Sequence, residues 1–134
     1  MILIVCISKK MGLTFNNRRV SRDKAVIQDI VKHANGQKVH ASPYSKVLFD
    51  DISENIEIST NYLRNANDGE FVFFEQGSVQ SIIPKVDTII VYNWNRDYPA
   101  DETFTIPSGF YKVSEEHLTG NSHDIIIKTI YGRS

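Results

Sequence analysis

Cysteine is all but missing from this chain of 134 residues. Cys6 stands alone, so an internal disulfide is excluded and the usage suits a reducing compartment. Long apolar runs are missing as well. The opening MILIVCI has no basic leader and no small-residue cleavage site, and it is too short for a membrane span or a signal peptide. No charge of one sign dominates: 15 Lys and Arg oppose 16 Asp and Glu, a formal net charge of −1. That balance gives no global attraction to nucleic acid or to a membrane. A Walker loop, GxGxxG, GxSxG and CxxC are all absent, which removes the commonest phosphate, dinucleotide, hydrolase and redox signatures. There is no internal repeat, low-complexity tract or linker. One domain over residues 1–134 is expected, long enough to bury a core, working in the cytoplasm.

What is present centres on the stretch from Glu70 to Phe104. Phe71-Val72-Phe73-Phe74 is a short apolar run ending at Gly77. Val79, Ile82 and Ile83 then follow at helical spacing until Pro84, and Thr88 to Tyr92 is a second apolar run. Strand, helical turn and strand make a βαβ unit, which implies a parallel sheet covered on both faces. Ile2 to Ile7 reads as a central strand. The polar loop from Ser8 to Val20 can turn at Gly12 and at Asn16-Asn17. Ser21 is the expected cap of a helix through His33, which Asn35-Gly36 ends in a left-handed turn. Lys38 to Ala41 is a short strand. Ser42-Pro43 starts a second helix, with Tyr44, Val47 and Leu48 expected to face the core. Asn55 to Ser59 reads as an exposed strand, and Thr60 caps a turn through Asn65. Phe104 with Ile106, Tyr111 with Val113, and Ile125 with Ile127 and Thr129 read as strands of an antiparallel edge. The fold class is therefore α/β, a mixed and mostly parallel sheet flanked by helices with an antiparallel C-terminal edge.

Charge is locally uneven. Lys9, Lys10, Arg18, Arg19, Arg22 and Lys24 share one stretch with a single acid, Asp23. Such an arm can clamp phosphates, with Phe15 free to stack on a base, or it can meet an acidic protein surface. A solvated loop is the plain alternative. Trp94, Arg96 and Tyr98 lie just after the last parallel strand, where loops build the crevice of open sheets and where such residue types dominate interfaces. Local packing of Trp94 is the alternative there. Glu115, Glu116, His117 and His123 are close in sequence but match no metal or acid–base motif. Cys6, inside an aliphatic strand, reads as a small buried hydrophobe.

The order of elements resembles dihydrofolate reductase over most of the chain. The aliphatic first strand leads to Met11-Gly12, a loop and a helix near Asp23. Lys38 to Val47 takes the place of the family's strand and cofactor-binding helix start. Gly77 to Asp87 is similar to its Gly-Gly helix, and Ala100-Asp101-Glu102-Thr103-Phe104 to its Gly-Asp-x-x-Phe. The resemblance implies Asp23 as a proton relay to a pterin; a first-turn acid favoured by the helix dipole is the alternative. It also implies where function has changed. One glycine of the pair survives, Gly77, preceded by Gln76. The phosphate contact has become His40-Ala41-Ser42-Pro43, the first-loop tryptophan is replaced near Arg18-Arg19, and the folate-tail arginine has no match. A side chain beside Gly77 would crowd a pyrophosphate, so no cofactor is expected.

The chain also resembles a group of short Firmicutes proteins that carry the label ribonuclease Z. That hydrolase holds two zinc ions through His-x-His-x-Asp-His. His33, His40, His117 and His123 lack the spacing, and no metal is expected. Genes of that group sit on mobile elements, which implies an anti-defence role. The leading expectation is a non-catalytic binding protein whose partner is a protein. A nuclease or ribonucleoprotein effector, inhibited in the manner of an anti-CRISPR or antirestriction protein, is the specific form. The alternatives are a divergent NADPH-dependent reductase using Asp23, and a nucleic-acid-binding protein or small nuclease using the arm with His117 or His123.

Overall fold

The structure, a computed structural model, describes residues 1–52 and 55–133. Strands β1 (Ile2–Ile7), β2 (Gly12–Phe15) and β3 (Arg18–Arg19) precede helix α1 (Lys24–Ala34). Strand β4 (Val39–Ala41) leads into a 3₁₀ helix, Pro43–Phe49. Strand β5 (Ile56–Ile58), helix α2 (Tyr62–Asn65), β6 (Phe71–Phe73) and β7 (Thr88–Asn93) follow. Strands β8 (Glu102–Thr103), β9 (Phe110–Leu118) and β10 (Ile126–Arg133) close the chain. The main sheet has the order β5-β4-β6-β1-β7-β10-β9, and a small sheet has the order β3-β2-β8.

β1 pairs in parallel with β6 on one side and with β7 on the other, Ile4 lying beside both Phe73 and Ile90. β10 and β9 run antiparallel. Alternation along β1 serves two cores, as a strand covered on both faces requires. Leu3, Val5 and Ile7 join Val72, Phe74, Ile89 and Val91 on one face. Ile4 joins Phe73 and Ile90 on the other, under Val26, Ile27 and Ile30 of α1. Truncating a fully buried member such as Ile4 to alanine would cost about 2–5 kcal/mol.

The differences from the sequence reading have physical causes. The apolar spacing at Val79 and Ile82 does bury those residues, but the crossover forms only a short 3₁₀ turn, Ile83–Lys85, because Pro84 follows too soon. The segment after Ser42-Pro43 is 3₁₀ rather than α. In it Ser45 and Phe49 are buried and Val47 is exposed. Asp23, not Ser21, caps α1, and Asn35 ends it with φ 47°. β10 begins at the fully buried Ile126, and Ile125 just before it is exposed, while Thr129 is buried. Phe104 and Ile106 do not reach the main edge; the strand before them, β8, pairs with β2 instead. The N-terminal arm is a hairpin, turning through Asn16 and Asn17 at φ 50° and 60°, the left-handed pair that a two-residue turn between twisted strands needs.

Candidate functional site

The functional end of a parallel sheet is where its strands deliver their carboxyl termini. In this chain two knots of polar side chains occupy that end. The first fastens the hairpin. Arg19 donates from Nε to Glu75 Oε2 at 2.8 Å and from Nη2 to Glu75 Oε1 at 2.9 Å. Ser45 Oγ donates to Glu75 Oε1 at 2.7 Å. The Tyr44 hydroxyl accepts from the Arg19 amide, its carbonyl accepts from Nη2, and the guanidinium lies 4.3 Å over its ring. A forked guanidinium on a nearly buried carboxylate is the strong form of an ion pair. One position further on, Gln76 Nε2 donates to the Asn17 carbonyl at 2.8 Å. β3, the segment after β6 and the start of the 3₁₀ helix are thereby tied together.

The second knot surrounds Asp23, whose side chain has no exposed surface. It accepts from the backbone amides of Ala25, Asn121, Ser122 and His123. It also accepts from Ser122 Oγ at 3.2 Å and faces His123 Nδ1 at 3.0 Å. Burial alone would raise its pKa. The hydrogen bonds from Asn121, His123, Ala25 and Ser122 outweigh that and hold it far below the ordinary carboxylate range. Gly120 makes the wrap possible, since a Cβ there would sit against the His123 carbonyl and 2.7 Å from Asp23 Oδ2. Trp94 stacks on the His123 ring, with centroids 4.8 Å apart. His123 Nε2 lies 3.0 Å from Ser21 Oγ and 3.0 Å from the Tyr98 hydroxyl.

These positions sort the expected site residues. Phe15, Arg18, Arg19 and Tyr98 come together with Val20 and Pro99 around an open cleft of about 510 Å³. Lys9, Lys10 and Arg96 are exposed, and the Lys9 amide is bonded to the Arg96 carbonyl. Arg22 instead borders a second cleft of about 530 Å³ between α1 and the 3₁₀ helix, with Lys24, Ile27 and Leu48. One expectation needs correction, and for Trp94 and Asp23 the plainer of the two readings describes the geometry. Arg19 is not free for a partner, because its guanidinium is committed to Glu75. Trp94 is buried against His123, not presented on a loop. Asp23 caps a helix and clamps a distant loop, with its acceptor capacity filled. His117 stays on the exposed β9, apart from buried His123. Among the described residues no group of three or more His, Cys, Asp or Glu could hold a metal ion. Burial, and next the Glu75 charge, push the Cys6 thiol up. Glu75 escaped the sequence reading, and Ser45 and Gln76 entered it only through the family resemblance; a lone acid following four apolar residues was the available signal.

Gly77 itself adds no crowding. Its φ is 94°, and a Cβ built there meets nothing within 4 Å. Beside it lie the Arg19–Glu75 and Gln76–Asn17 contacts. Between Cys6, Arg19, Glu75 and Trp94 only about 10 Å³ is left open.

No protein-family model matches this sequence, and no curated protein matches it. Among solved structures, the dihydrofolate reductase of Enterococcus faecalis, complexed with NADP(H) and RAB-propyl, aligns over 99% of this chain and 95% of its own. The TM-score is 0.68 at 11% sequence identity. The fold is dihydrofolate reductase-like. At that identity the likeness speaks for the framework alone, and function has to be argued from the side chains. No helix among the described residues is long and apolar enough to cross a membrane.

Proposed function

We propose that this protein uses a dihydrofolate reductase-like framework to bind a macromolecular partner and does not reduce a pterin. The observation that carries the reading is the bidentate Arg19–Glu75 pair, braced by Ser45 and Tyr44. It fills the carboxyl end of the sheet with protein side chains that are already partnered. Opening that end would break a nearly buried ion pair, at a cost of about 3–5 kcal/mol. A divergent NADPH-dependent reductase would in addition need Asp23 to handle a proton, and that carboxylate is ringed by donors and shut away from solvent.

The recognition surface in this reading is the cleft between the hairpin and the loop after β7. Phe15 is 45% exposed there, Arg18 is free of any ion pair described, and Lys9, Lys10 and Arg96 stand nearby in sequence. An acidic protein surface suits it: aromatic and arginine anchors supply contact, and lysines supply steering. A nuclease or a ribonucleoprotein effector, inhibited on behalf of a mobile element, is the specific partner to try first. The balanced net charge argues against nucleic acid as the main ligand. The test is cross-linking mass spectrometry in the native host with wild type and an Arg18→Glu/Arg96→Glu variant side by side. A partner linked through Lys9 or Lys10 in wild type and lost in the variant supports the reading. Equal recovery by both proteins rejects the surface.

A further inference from the structure

We propose that the outer edge of β9 pairs antiparallel with β9 of a second copy of this chain, joining two seven-stranded sheets across a two-fold axis between Val113 and Ser114. The inference goes beyond partner binding at the cleft and does not depend on it. β9 ends the main sheet, and among the described residues β10 is the one strand paired with it. At 9 residues it is also the longest strand described, and every residue from Tyr111 to His117 is exposed. Such an edge presents backbone N–H and C=O groups that a further strand can use. Tyr111 and Val113, 54% and 60% exposed, are the most exposed of the large apolar side chains described.

A bulge sets the register. Ser114 pairs with Ile130 and Lys112 with Tyr131, so Val113 is an extra residue on β9. Val113 packs over Gly132, where a Cβ would meet its Cγ2 at 3.0 Å. Gly132 and Ile130 share a face of β10 by alternation, so Tyr111, Val113, Ser114 and Glu116 lie on that face. Phe110, Lys112, Glu115 and His117 lie on the other. The ion pair between Lys112 and Glu115, 2.8 Å long and three positions apart, is possible only because the bulge brings both to one side. Residues directly opposite in an antiparallel pair lie on the same face. With the axis between Val113 and Ser114, every opposing pair of β9 on itself meets that condition: Val113 with Ser114, Lys112 with Glu115, Tyr111 with Glu116, Phe110 with His117. Moving the axis by one residue sets Ser114 against Glu115 or Lys112 against Val113, which face opposite ways.

Charge selects the same register. Lys112 stands opposite Glu115 of the second copy, the two-fold repeats the contact, and no like charges oppose each other. Charges and bulges on an edge usually keep other strands away. Here they make β9 a poor match for a regular strand and a good match for itself. On the other face, Val113 of each copy comes beside Val113 of the other, and exposed apolar surface leaves water. The interface is small, under about 1,200 Å² in total, and a Kd of roughly 10–100 μM is expected.

Sedimentation equilibrium of the full chain from about 5 to 500 μM should show monomer and dimer in exchange. Lys112→Glu should weaken the dimer by about tenfold, because it sets acid against acid at both symmetric contacts. The double swap Lys112→Glu/Glu115→Lys should bring the Kd back to within about threefold of wild type. Both positions are exposed, so the monomer fold is left intact. Disulfide trapping reads the register. Lys112→Cys and Glu115→Cys proteins, mixed and oxidised, should join to each other and not to themselves, since opposed Cα atoms lie about 4.5–5.5 Å apart. Wild type, which carries Cys6 alone, is the control. A monomer throughout the range, a dimer that Lys112→Glu does not weaken, or equal cross-linking in mixed and unmixed samples overturns the proposal.

Discussion

The two polar knots at the carboxyl end of the sheet are tied by different chemistry and hold different things. The Arg19–Glu75 knot is side chain on side chain, with Arg19 retaining 18% of its side-chain surface. The Asp23 knot is a carboxylate held mainly by backbone amides, with no surface left. The first can be rebuilt by any pair that restores charge and reach. The second depends on a loop path that only a few residues can follow. One fastens the hairpin to the segment after β6; the other fixes a histidine.

That contrast can be broken in stages. Asp23→Ala should have the largest effect. It removes the cap of α1 and strands three amides of the loop before β10, for a loss of about 3 kcal/mol or more in urea unfolding. Glu75→Ala comes next, leaving a half-buried guanidinium unpaired at about 2–4 kcal/mol; Glu75→Gln should recover part of it through the Ser45 contact. Gly120→Ala sharpens the comparison. Its Cβ would collide with the loop's own backbone and with Asp23, so destabilisation of about 1–3 kcal/mol is expected; at Gly77 the space is open, and the cost of Gly77→Ala would come from the positive φ alone.

Acid separates the knots further. The folded Asp23 carboxyl titrates below its ordinary value of 3.8. Its contribution is therefore complete above that value and is lost as pH falls below it. Acid unfolding followed by tryptophan fluorescence should show this slope in wild type and a flatter one in Asp23→Asn. The smallest expected effect on stability is Arg18→Glu, within about 0.5 kcal/mol, while association with an acidic partner should slow by about tenfold.

The sheet was legible because β1, β6 and β7 are uninterrupted apolar runs, and a strand buried on both faces leaves that mark. The hairpin turn at Asn16-Asn17 was legible as residue types, though not as a strand pair, since four residues of β2 carry no alternation that distinguishes them from loop. Asp23 as a helix-terminal acid could be read locally. Its loop partners could not, because Asn121 to His123 lie about a hundred positions away and contribute amides, which every residue has. Arg19 and Trp94 illustrate the same limit in reverse. Residue type marks them as binding groups, but burial and partners, which no composition encodes, turn both inward.

The central claim is that side chains already fill the space a dinucleotide would need. Calorimetric titration of the wild-type chain with NADPH measures this most directly. No saturable heat is expected up to about 1 mM cofactor. Stoichiometric binding at micromolar NADPH, with the Arg19–Glu75 pair intact in the bound structure, would contradict it.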